Sequence, residues 1–301
     1  MYIANDLKKT KPVYEIDSVR ASFMDNLFEI VEKFFSDKSL FSPEDFTFYI
    51  NDEHILNTDC HDNIFTCIYM EINQPNNYKP DLKKKTITTK TKKDKPEQEK
   101  KYKIPELYIS LSDIKKGLFE TSLKHFDNNN IIWQDKYGIC YKATLVEDNK
   151  KYEYYFKVIP AFTYYNANNV RGLVYYSGNE IQIEYPAKFY ENFEKKNKQT
   201  KDKYREIILI LKNILLREKD FERLPSEIIE TLVYNVPNAM LKSDSRDALI
   251  NVINFIRNNP MRDFRTIDEQ DYAFSSLYRS MSAFYSRHIL KTIEKALTKM
   301  Q

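Results

Sequence analysis

Glycine is almost missing from this 301-residue chain: there are four, at 117, 138, 172 and 178, and none earlier. The first third therefore has no residue without a Cβ where a backbone must approach a ligand closely. The G-x-S-x-G turn that exposes a serine nucleophile in hydrolases is absent. Cysteine is also scarce. Cys60, Cys67 and Cys140 are too few and too odd in number for a disulfide framework. The spacing of His54, Cys60, His61 and Cys67 fits no common structural zinc pattern, so the thiols read as buried and free. No apolar run approaches the ~18–20 residues that cross a bilayer, and no basic-then-apolar start resembles a signal peptide. These absences lead to the expectation of a cytoplasmic protein with no membrane association.

Hydrophobic residues make up 42% of the chain and aromatics 14%, with 23 Tyr and 19 Phe, a composition able to build a globular core. Net charge is only +3, too small to imply a nucleic-acid partner. Its distribution is uneven. Between Lys79 and Lys103 stand eleven lysines against Asp81, Asp94, Glu97 and Glu99, so the remainder is net acidic. Residues 74–103 lose all hydrophobic periodicity and read as a solvated, mobile Lys-rich insertion. As a functional element it would bind nucleic acid with affinity that falls steeply with salt.

Periodicity predicts helices over 17–37 and 111–127, the second capped by Ser112, and strands over 46–50, 64–72, 130–134, 137–146 and 151–162. A hairpin is expected over 172–185, turning at Ser177-Gly178. After Pro186 helical patterns take over: 187–198, 200–217, 225–234, 244–257 and 271–299. The order predicts an α+β domain, 1–186, followed by an all-α domain, 187–301.

Three segments in order carry a resemblance: KYEYYFKVIPAFTYYN (151–166), AKFYENFEKKNKQTKDKYREIILILKNI (187–214) and LPSEIIETLVYNVPN (224–238). Together they resemble the nucleotidyltransferase superfamily, in its cGAS/OAS-like (CD-NTase-like) branch. The resemblance implies a mixed sheet with flanking helices and a helical C-terminal lobe. It also implies NTP substrates and two divalent cations, Mg²⁺ above all, about 4 Å apart. The family holds these with an Asp-x-Asp pair on one strand and a third Asp on its neighbour, below a Gly-Ser turn.

Each part of that centre is altered here. With no glycine before 117, the Gly-Ser turn is absent, and Asn51-Asp52 stands in the plausible place. Asp59 and Asp62 stand near the start of the strand 64–72, but spacing three sends strand side chains to opposite faces unless a turn intervenes. They are weak candidates for catalysis and metal binding. Lys157 occupies the third carboxylate position when Pro160 is aligned with the family proline. At about 4 Å and an effective dielectric near 20, a like-charge contact costs about 4 kcal/mol. Lys157 fits a phosphate better than a metal. Glu71 and Glu153 are the other carboxylates near enough in sequence to replace the missing one.

The helical half keeps more. Lys212 and Ser226 match family residues that bind the nucleotide triphosphate, while Glu230, Asn235 and Pro237 read as structural. Phe162, Tyr164, Tyr165 and Tyr185 could stack a base. The sequence thus points to a catalytically degenerate protein that binds a nucleotide, RNA or a protein partner. An active, metal-dependent nucleotidyltransferase is the alternative.

Overall fold

The computed structural model describes residues 16–36, 46–51, 64–72, 110–126, 131–147, 150–178, 180–217, 226–274 and 283–297. Asp59, Asp62 and the lysine-rich stretch 74–103 lie outside the described residues.

The sheet-bearing half has two helices, α1 (Ile16–Ser36) before the first strand and α2 (Leu111–His125) after the second. Ser110 caps α2 by accepting the Asp113 N–H at 3.1 Å. Ser112, the expected cap, is exposed one residue inside the helix. Among the described residues seven strands form one sheet: β1 (Phe46–Asn51), β2 (Ile64–Ile72), β3 (Ile131–Gln134), β4 (Ile139–Glu147), β5 (Lys150–Tyr165), β6 (Arg171–Ser177) and β7 (Glu180–Glu184). The main path runs β1-β2-β5-β4-β3, with β6 pairing β5 and β7 pairing β6. β2 and β5 are parallel; the other pairs are antiparallel. Gly178 turns β6 into β7 with φ +63°, a conformation that costs other residues a steric penalty.

At 16 residues β5 is the spine of the sheet. One edge pairs with β4 as far as Val158 and then with β6 from Phe162. Pro160 sits in the gap between those two ladders, where a missing N–H disturbs neither. Alternation divides the faces. Ile68, Met70 and Ile72 of β2 and Phe156 and Val158 of β5 pack under α1 and α2, against Phe23, Leu27, Ile30, Ile114 and Leu118. The opposite face has a smaller apolar cluster around Tyr69, Ile159, Ala161, Leu173 and Tyr175.

The C-terminal half is helical: α3 (Pro186–Gln199), α4 (Lys203–Arg217), α5 (Ser226–Tyr234), α6 (Asn238–Leu241), α7 (Ser245–Asn258) and α8 (Ala283–Leu297). α4 is the central helix. Tyr204, Ile207, Ile208, Leu209, Ile210, Leu211, Ile214 and Leu215 are all buried, so it is enclosed on nearly every side. The lobe has its own core, running from Phe193 to Ile293. Thr200 ends α3 and leads into α4: its hydroxyl donates to the Lys196 carbonyl and accepts the Tyr204 N–H.

The expected helix over 271–299 is shorter. Residues 264–274 form an irregular loop in which Arg265 and Tyr272 make an isolated β-bridge, and among the described residues the helix is Ala283–Leu297. The turn at Asp268 is self-contained: its carboxylate accepts from Thr266 Oγ1 at 2.5 Å and the Gln270 N–H at 3.1 Å. Such side-chain-to-backbone bonds compete with a helix. The loop also ties the halves together. Asn166, just past β5, donates to Gln270 Oε1 at 2.7 Å, while within the helical half Asn192 of α3 donates to the Ile267 carbonyl at 2.8 Å.

Candidate functional site

Pairing registers place one row of residues across the sheet face turned away from α1 and α2. Trp133 of β3 lies opposite Cys140 of β4, Cys140 opposite Lys157 of β5, and Lys157 opposite Cys67 of β2. Directly paired residues share a face, so these four side chains stand on the same side.

Lys157 is the charged centre of that row. Its ammonium reaches Asp135 Oδ2 at 2.7 Å and lies 5.2 Å from the centre of the Tyr137 ring. Asp135 is held by the β3–β4 turn. Its other oxygen, Oδ1, accepts the Tyr137 and Gly138 N–H groups, both at 2.8 Å. Gly138 is required by crowding: a Cβ there would lie 2.1 Å from the Val158 carbonyl oxygen of β5. Burial alone would raise the Asp135 pKa, but the bonds from Lys157, Gly138 and Tyr137 outweigh it and the pKa is lowered. Burial likewise opposes the charge on Lys157, and the Asp135 pair reverses that and raises its pKa. Both groups are therefore charged at neutral pH. The pair is half-open to solvent, with side-chain exposures of 35% and 27%.

Burial pushes the Cys67 and Cys140 thiols up to about 11, Lys157 acting in the opposite sense. Both are free, Cys140 buried and Cys67 half-buried.

The carboxylates that could replace the third metal ligand are committed elsewhere. Glu71, fully buried, accepts from Thr163 Oγ1 at 2.6 Å and Arg171 Nη2 at 2.8 Å. Glu153 accepts from Lys142 at 2.8 Å, Lys151 at 3.1 Å and Tyr155 at 2.6 Å, and these bonds lower its pKa to about 2. Among the described residues no three His, Cys, Asp or Glu side chains converge on a point that could hold a metal ion. The described donor set does not fit a two-cation centre.

Lys212, expected to reach a phosphate, lies inside the helical lobe. It is fully buried, and its ammonium meets Glu230 Oε1 of α5 at 2.8 Å. A charge this deep in an apolar helix requires such a partner. Ser226 begins α5. Asn235 is structural in detail: its amide donates to the Thr231 and Arg265 carbonyls and accepts the Arg265 N–H. The four aromatics suggested for base stacking do not form one surface. Phe162 and Tyr164 pack into the core beneath α1 and α2, Tyr185 is buried, and Tyr165 is exposed. Sequence reading missed Asp135 and Trp133. The one signal was the Asp-Lys-Tyr-Gly run between two strands, a turn signature that says nothing about Lys157 twenty-two residues later.

The architecture matches known proteins. Residues 191–298 match the family described as the cGAS/DncV-like nucleotidyltransferase C-terminal helical domain. Over 135 residues the chain is 27% identical to the cyclic UMP-AMP synthase of Rhodothermus marinus, which is 43% of this chain and 47% of that protein. The chain thus matches about half the length of that curated relative. The solved structure of the Rhodothermus marinus CdnE c-UMP-AMP synthase with Apcpp and Upnpp superposes with TM-score 0.70 at 16% identity, covering 99% of this chain and 97% of that one. The Elizabethkingia meningoseptica CdnE cyclic dinucleotide synthase with GTP and Apcpp gives 0.63 at 17% identity, covering 99% of both chains. The chain therefore has the nucleotidyltransferase fold with a CD-NTase-type helical lobe, as the three sequence segments implied. Among the described residues no helix is long and apolar enough to cross a membrane.

Proposed function

We propose that this chain is a nucleotide-binding protein of CD-NTase fold that lacks the metal centre for nucleotidyl transfer. One observation supports the reading: Lys157, at the strand position that the resemblance assigns to the family's third aspartate, is charged and paired with Asp135. An ammonium repels a divalent cation and attracts a phosphate. Lys157 supplies the positive charge that a metal otherwise brings to a triphosphate, and it does so without activating an attacking hydroxyl. Asp135 fixes its position and releases it partly when an anion arrives. From the helical lobe Ser226, at the start of α5, is the remaining candidate phosphate contact, because Lys212 is buried on Glu230.

The test is direct. Purified protein is incubated with each of the four labelled NTPs and with all of them together, in Mg²⁺ and in Mn²⁺. Expected is NTP binding that needs no metal and yields no product. Formation of any nucleotide product, abolished by Asp62→Ala, overturns the reading in favour of an active synthase. That second reading is supported by the 27% match to a cyclic UMP-AMP synthase. A nucleic-acid role for the 79–103 lysines predicts RNA affinity that drops steeply with added salt. A protein partner would leave both assays silent and appear as a stable complex.

A further inference from the structure

We infer that Trp133 is the stacking platform for a purine base whose phosphates lie at Lys157. This rests on the sheet face around Lys157 being a nucleotide site, as proposed above, and adds the residue that reads the base.

Trp133 shares the registered row with Lys157 and stands on the same sheet face. Two strand spacings separate them, about 10 Å, a distance that a nucleoside triphosphate spans from base to phosphate. Its neighbour in register is small: Cys140 lies between it and Lys157, with the Tyr137 ring on the Lys157 side, 5.2 Å from the ammonium. β3 is the last strand on the sheet's main path, and Trp133 remains 38% exposed there. Ile132, the next residue, faces the other way into the core. An indole of that exposure on an edge strand has a ring face available to stack.

The electrostatics around it favour an anion-bearing ligand. Lys157, the exposed Lys136 and Lys115, whose ammonium donates to the Asp135 carbonyl at 3.2 Å, gather at the β3–β4 turn around the single carboxylate of Asp135. A neutral apolar partner would gain nothing from three lysines; a nucleotide uses both halves of the site. A fused two-ring base covers the two-ring indole more fully than a single ring does, which gives the preference for a purine. Base–aromatic stacking is sequence-tolerant but large enough to measure.

Trp133 is the chain's one tryptophan, so its fluorescence reports this position alone. The full chain is titrated with ATP and, separately, UTP, without divalent metal. Tryptophan fluorescence and equilibrium dialysis of labelled nucleotide are followed in parallel. Expected is saturable quenching with the dialysis midpoint and tighter binding of ATP than of UTP. Trp133→Ala should weaken ATP roughly 5- to 150-fold, while Trp133→Phe, which keeps a ring, should restore most of the loss. Unchanged circular-dichroism melting of both variants shows that the fold is intact. If dialysis finds ATP bound while the fluorescence is still and Trp133→Ala binds normally, the platform is refuted and the nucleotide-binding reading stands. UTP binding tighter than ATP refutes the purine. If neither nucleotide binds by dialysis, the nucleotide-binding reading fails and takes this one with it.

Discussion

Two lysine–carboxylate pairs occupy the two halves of this molecule, and their surroundings set them apart. Lys157–Asp135, on the open sheet face, has contacts of 2.7 Å and side chains 35% and 27% exposed. Lys212–Glu230, inside the helical lobe, has a 2.8 Å contact with side chains 0% and 5% exposed. The chemistry and distance are nearly the same; the solvent is not. In the lobe, neither charge can be removed alone without stranding the other in an apolar interior. On the sheet, water or a ligand can replace either partner. The comparison teaches that the sheet pair is free to serve a ligand and the lobe pair must first serve the fold.

The largest test of that contrast is to break the buried pair. Glu230→Gln or Lys212→Met should lower unfolding free energy by about 3–5 kcal/mol, read by urea denaturation. Replacing both with apolar residues of similar volume should recover most of it. A single Glu230 variant as stable as wild type would mean that the lobe pair is not structural.

A third lysine sharpens the comparison because it is buried and, among the described residues, meets no carboxylate. Lys196 donates to the Val236 carbonyl at 2.8 Å and to Asn238 Oδ1 at 2.9 Å, and burial depresses its pKa to about 8. A folded-state pKa below the unfolded value means that the unfolded chain binds more protons between the two. Stability should therefore rise from pH 8 towards the unfolded pKa near 10.5, by at most about 3 kcal/mol relative to Lys196→Met. Parallel pH–stability curves for the two proteins would refute the depressed pKa.

Asp135→Asn gives the smaller effect expected of a half-open pair, roughly 1 kcal/mol or less. Because the Asp135 pKa is lowered on folding, this contribution is present above the unfolded pKa and fades as pH falls through the folded one. A loss as large as that for Glu230 would erase the distinction between the pairs. Least energetic of all, Cys67 and Cys140, with pKa near 11, should resist alkylation at pH 8 until the protein unfolds. Rapid labelling of the native protein would mean that the face beside Lys157 opens further than it does here.

Legibility followed how local each signal was. β2 was readable to the residue, Ile64–Ile72, because an apolar run flanked by polar residues marks its own ends. The helical half was readable from its periodicity, and the three family-like segments gave the fold. Helix 271–299 was misjudged because the Thr266–Asp268–Gln270 turn satisfies its backbone by side chains, which periodicity does not register. In the site, Lys157 was visible because a motif gave it an expected identity. Asp135 and Trp133 were not, since only strand pairing brings β3 and its turn beside β5. The burial of Lys212 was hidden for a similar reason: its partner Glu230 comes from another helix.

The length of β5 has a mechanical consequence. The strand carries Lys157 at its middle, and its far end leads to Asn166, which is fastened to Gln270 in the helical lobe. At Pro160 the strand has no ladder on the β4–β6 side and is braced by β2 alone. β5 is thus a tie rod with a built-in weak section. A load that enters through the Asn166–Gln270 bond travels along the strand to Pro160, three residues from the lysine at the centre of the open sheet face.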